Sequence, residues 1–340
     1  MSEIEFGLDT FGGVTPDADG APVPHARVIR DLVDDGIVAD QLGLDFFAVG
    51  EHHRPDFAVS SPEMVLSAIA ARTETIRLGS AVTVLSSDDP VRVFERFATL
   101  DAVSGGRAEI VAGRGSFIES FPLFGYNLRD YEVLFEEKLE LLAALLTEEP
   151  VTWSGSTRAS LTDQRVYPET EGGIRAWVGV GGSPESVVRT ARYGFGLFLA
   201  IIGGPAARFA PYIDLFEQAQ DEFGVERKPI AIHSPGLVAV TDDDARELVR
   251  DGWFEMRRKI GAERGWPPPA VGEFEREIQG GALYVGSPET VARKIAATLK
   301  TLRVDRFDLK YDQPVTHAAQ RRSIELYGEK VVPLVKDMLA

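Results

Sequence analysis

The feature that most constrains the fold of this 340-residue chain is an alternation of short apolar runs with amphipathic segments, repeated eight times. Short apolar runs are typical of buried parallel strands, and apolar residues spaced three and four apart indicate helices that cover a sheet. Strands are predicted at residues 4–8, 45–49, 76–85, 107–112, 176–180, 196–202, 229–240 and 304–311. Eight strands with helices between them fit a closed (β/α)8 TIM barrel, of the α/β class, better than an open sheet.

Signals for helix starts support this alternation. Ser61-Pro62-Glu63 offers a serine cap, a proline at the first helical position and an acid where the helix dipole favours it, and Asp89-Pro90 also starts a helix. Further helices are predicted at 26–42, 130–146, 184–193 and 205–223. An open dinucleotide-binding sheet would carry G-x-G-x-x-G after its first strand, whereas here Gly12-Gly13 leads into a proline-rich loop.

Three segments are predicted to be insertions in a single barrel domain that spans residues 1–340. Residues 12–24 follow the first strand and are rich in Gly, Pro and Asp. Residues 147–173 contain short apolar pieces at 151–153 and 165–167 that suggest a β-hairpin, and residues 253–281 are the most irregular. Loops this long in a compact domain usually serve as lids or substrate walls, or else are disordered, and we interpret 147–173 and 253–281 as insertion or lid segments.

Charge and cysteine content exclude several classes of function. A net charge of −17 disfavours binding to nucleic acids or anionic membranes, since like charges repel. With no cysteine, the chain has no disulfide, thiolate metal site or catalytic thiol. The five histidines show no H-E-x-x-H or H-x-x-E-H spacing, so no metal site is predicted. The first ten residues lack a signal-peptide pattern and no apolar run reaches the roughly 20 residues of a spanning helix, so we expect a cytoplasmic protein.

Polar residues directly after strands are the first candidates for chemistry, because a barrel collects its functional groups at the C-terminal ends of its strands. His52 lies in Glu51-His52-His53-Arg54 after the second strand, and an imidazole can act as acid, base or hydrogen-bond donor near neutral pH. Arg114 follows the fourth strand between two glycines, where its guanidinium can clamp an anion. Each has a structural alternative: a histidine pair that orders a loop, or an arginine in a rim salt bridge.

A glycine-rich turn after the fifth strand suits a phosphate. Gly181-Gly182-Ser183-Pro184-Glu185-Ser186 opens a helix whose free N–H groups and positive dipole end attract an anion. The alternative is an ordinary N-cap, because a near copy, Gly286-Ser287-Pro288-Glu289-Thr290, opens another helix. We favour the first turn because it has an extra glycine and follows the stronger strand. The residues alone therefore indicate a barrel enzyme that binds a phosphorylated cofactor.

An ordered set of motifs resembles the bacterial luciferase-like, flavin-dependent monooxygenase superfamily. The set comprises FAVGEHH at 47–53, IRLGSAV at 76–82, AVSGGR at 102–107 with GRG at 113–115, GGSPES at 181–186 and GSPE at 286–289. Each motif is weak alone, but the order is specific, and the resemblance extends from residue 4 to about residue 311. It implies a (β/α)8 barrel that binds FMN, or in one branch the deazaflavin F420, at the C-terminal ends of the strands.

The resemblance also implies roles for individual residues. His52 matches the catalytic histidine of the family, and the Ala81-Val82 bond matches a non-proline cis peptide beneath the flavin ring. Arg114 and the serines of the glycine-rich turn match positions that hold the flavin phosphate. The expected cofactor-binding residues are Ala81, Val82, Arg114, Gly181, Gly182, Ser183 and Ser186.

Three departures point to a non-luminous branch. Gly113 stands where light-emitting members carry a cysteine, Phe117 where they carry an aromatic hydroxyl, and Gly182 where they carry an acid. The resemblance then implies a monooxygenase that uses reduced FMN and O2 on a small organic substrate, with a separate NAD(P)H-dependent flavin reductase as partner. A homodimer is expected from the family. The alternatives are an F420-dependent dehydrogenase or reductase on the same barrel, and a flavin-free partner subunit.

Overall fold

In the computed structural model, which describes residues 4–115 and 117–340, eight parallel strands form a closed barrel. We number the barrel strands β1 Glu5–Thr10, β2 Phe46–Val49, β3 Arg77–Ser80, β4 Ala108–Gly113, β5 Arg175–Val180, β6 Gly196–Ala200, β7 Ile230–Val238 and β8 Arg306–Lys310. Successive strands pair in parallel, and Arg306 of β8 lies opposite both Ala231 of β7 and Glu5 of β1, which closes the ring. The predicted (β/α)8 fold is confirmed.

Helices surround the barrel in the described part of the chain. They are α1 His25–Gln41, α2 Pro62–Ala70, α3 Pro90–Ser104, α4 Ser120–Leu123, α5 Tyr131–Leu145, α6 Pro184–Arg192, α7 Ala210–Phe223, α8 Asp242–Arg264, α9 Glu273–Gln279, α10 Pro288–Leu302, α11 His317–Leu326 and α12 Val332–Leu339. Proline at the first turn of α2, α3, α6 and α10 agrees with the predicted helix starts.

The third predicted strand is shorter than its apolar run. Residues 76–85 read as one strand, but β3 ends at Ser80, a two-residue strand Thr83–Val84 pairs with β4, and a 3-10 turn follows at Leu85–Ser87. The chain leaves the sheet between these pieces at Ala81 and Val82. Apolar content persists through the break because Ala81 is buried and Val82 is half-buried, so periodicity could not reveal it.

Two of the three predicted insertions, at 147–173 and 253–281, differ from expectation in their secondary structure. Residues 147–173 contain a hairpin, but its second strand is Leu161–Gln164 and not 165–167. The apolar pattern missed this strand because its residues are mostly polar and exposed. The expectation of an irregular segment at 253–281 is wrong for much of its length. Helix α8 continues to Arg264 and α9 covers Glu273–Gln279. Beyond Trp253, α8 buries only Gly261, so its second half carries no apolar period.

The barrel interior has an ionic floor beneath an apolar layer. At the floor, the buried Arg306 donates to Glu109 at 2.8 Å and to Glu5 at 2.7 Å, and Arg175 donates to Glu5 at 2.8 Å. Above it pack the apolar side chains of Phe46, Ala48, Ala81, Val111, Trp177, Phe198 and Ala231. A filled interior leaves the C-terminal end of the barrel as the place where a ligand can sit. Organisation as a single domain stays a prediction.

Candidate active site at the barrel mouth

The loop after β2 places His52 among aromatic rings. The centre of its ring lies 4.7 Å from that of Phe11, 4.3 Å from that of Phe57 and 5.2 Å from that of Phe117. Its Nε2 atom is buried and has no hydrogen-bond partner among the described residues. Because buried polar atoms are almost always hydrogen-bonded in folded proteins, this nitrogen is a group that a bound ligand can satisfy.

The surroundings of His52 keep its imidazole neutral. Burial, together with the charges of Lys310 and Arg54, lowers the pKa of His52 to about 3. Removal from water disfavours the imidazolium, and the two cations disfavour it further. At neutral pH the ring therefore makes hydrogen bonds as an uncharged group.

The neighbouring His53 has a structural role. It helps to order the loop, which was the alternative considered for the His52-His53 pair. Its Nε2 atom lies 2.8 Å from Oε1 of the buried Glu51, whose Oε2 accepts a hydrogen bond from the Val84 amide at 2.9 Å. Glu51 thereby ties the loop that carries His52 to the segment that follows Val82. Glu51 thus holds His52 and the Ala81-Val82 peptide bond in a fixed position relative to each other.

The Ala81-Val82 peptide bond is cis, and glycines surround it. A Cβ atom at Gly113 would lie 2.5 Å from the Val82 side chain, one at Gly179 would lie 2.7 Å from it, and one at Gly50 would lie 2.7 Å from the Ala81 carbonyl oxygen. Glycine is therefore required at the ends of three strands. Val82 remains only half-buried, so part of its side chain faces the mouth.

The predicted phosphate turn borders open space at Gly181 and holds a buried, unsatisfied hydroxyl. Ser183 caps α6, its Oγ accepting from the Ser186 amide at 3.2 Å. The Ser186 hydroxyl is buried and has no partner among the described residues. Gly182 has φ of +117°, which favours glycine, and a Cβ at Gly181 would meet nothing within 4 Å. The turn therefore combines a helix N-terminus, open space at Gly181 and a buried hydroxyl with no partner among the described residues.

Arg114 lies beside this turn but already has a partner. It donates to Glu132 at 2.7 Å, and its guanidinium lies 5.3 Å from the ring centre of Tyr131. Its charge reaches the turn: the pKa of Glu185 is lowered by a hydrogen bond from its own backbone, by one from Ser183 and by the charge of Arg114. The rim salt bridge is thus present, and an anion at the turn would compete with Glu132 for the guanidinium.

The near copy of the turn is already occupied by the protein itself. The Ser287 amide donates to the Asp242 carboxylate at 2.7 Å, and the Thr290 hydroxyl donates to the same carboxylate at 3.0 Å. Thr290 corresponds in position to Ser186, whose hydroxyl has no partner within the described ranges. An internal carboxylate therefore satisfies the second helix N-terminus, which leaves the first turn available to a ligand.

Interior positions of the strands add polar groups that the sequence patterns did not single out. His233 of β7 and Asp9 of β1 are hydrogen-bonded and buried, and Lys310 pairs with Asp312 while lying 4.2 Å from the ring centre of Phe11. The sequence does contain a pattern that indicates some of these groups. Arg306, Asp308 and Lys310 occupy every second position of β8, which is the spacing of residues on one face of a strand. What could not be read from the sequence is the pairing of Asp9 with a residue 224 positions away.

Two further findings concern the described residues as a group. No three of their histidine or acidic side chains cluster as metal ligands would. None of the helices among them combines the length and apolar character needed to cross a bilayer.

Known proteins share this chain's sequence and architecture. The family model described as luciferase-like monooxygenase matches residues 9–306. Limonene 1,2-monooxygenase from Rhodococcus erythropolis is 27% identical over 305 residues, which cover 86% of this chain and 78% of that protein.

Solved structures share the fold at lower identity. Monooxygenase RslO1 from Streptomyces bottropensis superposes with a TM-score of 0.82 at 21% identity, covering 97% of this chain and 99% of that one. The oxygenating constituent of 3,6-diketocamphane monooxygenase from Pseudomonas putida, in complex with FMN, gives 0.77 at 19% identity and covers 98% of both chains. Coenzyme F420-dependent tetrahydromethanopterin reductase from Methanopyrus kandleri gives 0.73 at 20% identity, covering 98% of this chain and 99% of that one.

At these identities the superpositions establish the barrel alone. The family match is of another kind, because it extends over most of the sequence and includes the segments that carry His52, Ala81-Val82, Arg114 and the turn at residues 181–186. This chain therefore belongs to the luciferase-like monooxygenase family and is an oxidoreductase.

Proposed function

We propose that this enzyme is an FMN-dependent monooxygenase that uses reduced FMN and O2 to oxidise a small organic substrate. One observation carries the proposal: the unpartnered, buried Ser186 hydroxyl lies in a turn suited to phosphate, at the same end of the barrel as the unpartnered Nε2 of His52. A phosphorylated ring cofactor requires both an anion site and a partly apolar wall for the ring. The described residues offer both.

The residues of the mouth fit FMN as follows. Gly181, Gly182, Ser183 and Ser186 would hold the phosphate, with Arg114 exchanging Glu132 for it. The exposed part of Val82, on the cis peptide after β3, would support the ring. The bound flavin would supply the reducing electrons and the site for oxygen activation.

The chain's own side chains have two further roles in this proposal. His52 contributes a neutral hydrogen-bonding nitrogen at the mouth, because its pKa of about 3 rules out a stable imidazolium near pH 7. Phe11, Phe57 and Phe117 pack around it and exclude water. Exclusion of water strengthens each hydrogen bond made inside the site and protects reactive species from side reactions.

The named relatives support this choice of cofactor and reaction. One structural neighbour is a monooxygenase in complex with FMN, and the sequence relative oxidises limonene. Gly113 and Phe117 replace the residues of light-emitting members, which favours the non-luminous branch. A separate flavin reductase, a homodimer and a cytoplasmic location stay predictions that rest on the family or the sequence.

Hydride transfer with F420 is the second candidate, since an F420-dependent reductase has the same barrel. The two cofactors carry different phosphate groups and tails, so a competition titration separates them. The purified protein is titrated with FMN, reduced FMN and F420, and binding is followed by fluorescence. Preference for FMN supports the monooxygenase, and preference for F420 supports the reductase.

Variants of the turn test where the cofactor binds. Ser186→Ala should weaken FMN binding about tenfold, which corresponds to one hydrogen bond to a charged group. Thr290→Ala is the matched control, because Thr290 has the same position in the near copy but bonds Asp242. Equal effects of the two substitutions, or no FMN binding at micromolar concentrations, would contradict the proposal.

A further inference from the structure

Arg54, two residues after His52, joins three separate segments of the chain. Its guanidinium donates to Glu119 at 2.6 Å and makes two hydrogen bonds to Glu263, at 2.7 and 3.1 Å. Glu119 follows β4, and Glu263 lies in the last turn of α8. We call Arg54, Glu119 and Glu263 the latch. A planar guanidinium shared by two carboxylates fixes geometry better than a single ion pair does.

Aromatic contacts continue from the latch to His52. The guanidinium of Arg54 lies 4.3 Å from the ring centre of Phe117, and that of Arg264 lies 5.5 Å from it. Phe117 in turn packs 5.2 Å from the ring of His52. A second ion pair, from Lys259 to Asp56 at 3.1 Å, joins α8 to the loop of His52. The end of α8 therefore completes the wall around His52.

The two halves of α8 are held by different forces. Ala245, Val249 and Trp253 of its first half are buried in an apolar cluster with Phe274 of α9. Beyond Trp253 the helix buries only Gly261, and its remaining contacts to the His52 loop are charged and partly exposed. Partly exposed ion pairs contribute little free energy, so the end of α8 can separate while its start stays anchored.

The wall around His52 must rearrange if this residue is to meet a ligand. The Nε2 atom of His52 is fully buried, so the wall around it must open to admit a molecule. The weakest part of that wall is the one held by charges.

We propose that Arg54 is a positioning residue that couples seating of the end of α8, through the latch and Phe117, to the closed surroundings of His52. The inference rests on the proposed role of His52. Loss of the latch leaves the barrel folded but admits water to the imidazole. Closure of α8 and formation of the His52 site are then one event.

Glu263→Gln gives the decisive test, because two explanations predict opposite signs. Charge alone would lower the pKa of His52 further, since Arg54 would lose a counter-charge. Opening of the wall would raise that pKa toward the ordinary histidine range, because water would solvate the imidazolium. Histidine 13Cε1 signals are recorded against pH without flavin, and His52→Gln assigns the signal.

The expected result is a His52 signal that does not titrate between about pH 5 and 8 in the native protein and does so in Glu263→Gln. Trypsin should also cleave after Arg257, Arg258, Lys259 or Arg264 about fivefold faster in Glu263→Gln and Arg54→Gln. Arg92→Gln, which removes an exposed ion pair on α3, is the control and should change neither readout.

A His52 signal that stays silent, or whose pKa falls, in Glu263→Gln overturns the proposal whatever the protease result. An effect of equal size in Arg92→Gln does the same. Neither readout needs FMN, so failure of the FMN titration would refute the proposed function separately. Conversely, if the native protein binds FMN and the His52 signal is unchanged in Glu263→Gln, the latch proposal is refuted and the proposed function is not affected.

Discussion

Single atoms without partners mark the chemistry of this molecule. Among the buried polar atoms that have no partner in the described part of the chain are Nε2 of His52 and Oγ of Ser186 at the mouth, and both carboxyl oxygens of Asp308 deeper in the barrel. The His52 atom becomes accessible to a ligand once the wall around it opens, and the Ser186 hydroxyl lies in the turn that borders open space at Gly181. Asp308 is fully buried beside Gly7, where a Cβ would lie 2.1 Å from its Oδ1 atom. Because burial disfavours a charged carboxylate, Asp308 should affect the free energy of unfolding.

Asp308→Asn should stabilise the protein at neutral pH. Burial first, and the charges of Asp9, Glu109 and Glu5, raise the pKa of Asp308 well above its usual 3.8, although Arg306 opposes them. The folded state therefore keeps a proton that the unfolded state releases above about pH 3.8. That difference costs about 1.4 kcal/mol per pH unit until the folded-state pKa is reached.

Urea unfolding at several pH values measures this effect. The advantage of Asp308→Asn should grow between about pH 4 and pH 7 and vanish at lower pH. Asp214→Asn, at a carboxylate whose side chain is 69% exposed, should show no such trend. An Asp308→Asn protein whose stability relative to the native protein does not change between about pH 4 and pH 7 would refute the raised pKa.

The sequence largely predicted which residues lie at the mouth of the barrel. It did not predict which of them order the structure and which remain available to a ligand. His52, Arg114 and Ser186 follow strands, and position after a barrel strand is readable from periodicity. The sequence shows two adjacent histidines, and only the contact of His53 with Glu51 shows which of them orders the loop. Likewise, only the bond from Ser287 to Asp242 separates the two similar turns.

At the scale of elements, the strand ends determine what the mouth can hold. Glycines at the ends of β2, β4 and β5 leave room for the Ala81-Val82 segment, as the contacts of Gly113 and Gly179 with Val82 show. Beyond β5, Gly181 faces open space. Two glycines only two residues apart should therefore respond differently to the same substitution.

Gly179→Ala should destabilise the fold by about 1–3 kcal/mol, because its Cβ would overlap Val82 inside a packed interior. Gly181→Ala should change stability by less than about 0.5 kcal/mol and still weaken FMN binding, because its Cβ would enter the space proposed for the phosphate. Thermal unfolding and FMN titration of both variants measure this contrast. The same destabilisation in both variants would show that the packing around Val82 is not special.

Helices and strands with one apolar face were predicted from the sequence. Those without an apolar face were not. The start of α8 carries Ala245, Val249 and Trp253 four residues apart, a helical signal, but its charged second half shows no period. The second hairpin strand, Leu161–Gln164, is polar and exposed for the same reason. Both elements are formed by tertiary contacts and caps that periodicity does not record.

At the scale of the whole molecule, the ionic floor joins five strands of the barrel. Glu109 of β4 receives hydrogen bonds from Arg77 of β3 at 2.5 Å and from Arg306 of β8, while Glu5 of β1 binds Arg306 and Arg175 of β5. Burial alone would raise the pKa of Glu109, but Arg306, Arg175 and Arg77 outweigh it and lower that pKa to about 2. The floor thus depends on a charged Glu109.

Glu109→Gln should destabilise the protein by about 3–5 kcal/mol at pH 7, because the buried Arg306 would keep only the partly exposed Glu5 as a charge partner. In the native protein this contribution is complete above the usual glutamate pKa of 4.5 and is lost as pH falls toward 2. Urea unfolding at neutral and acid pH checks both statements, with Glu149→Gln as an exposed control. A loss below about 1 kcal/mol would show that the floor is dispensable.

The central claim is that FMN binds at the mouth with its phosphate at Ser183–Ser186, and a crystal structure of the protein soaked with FMN tests it most directly. The account predicts density for the phosphate within hydrogen-bond distance of Ser183, Ser186 and Arg114, and for the ring against Val82. Absence of flavin density at the mouth, or flavin bound elsewhere with the Ser186 hydroxyl still unpartnered, would contradict it.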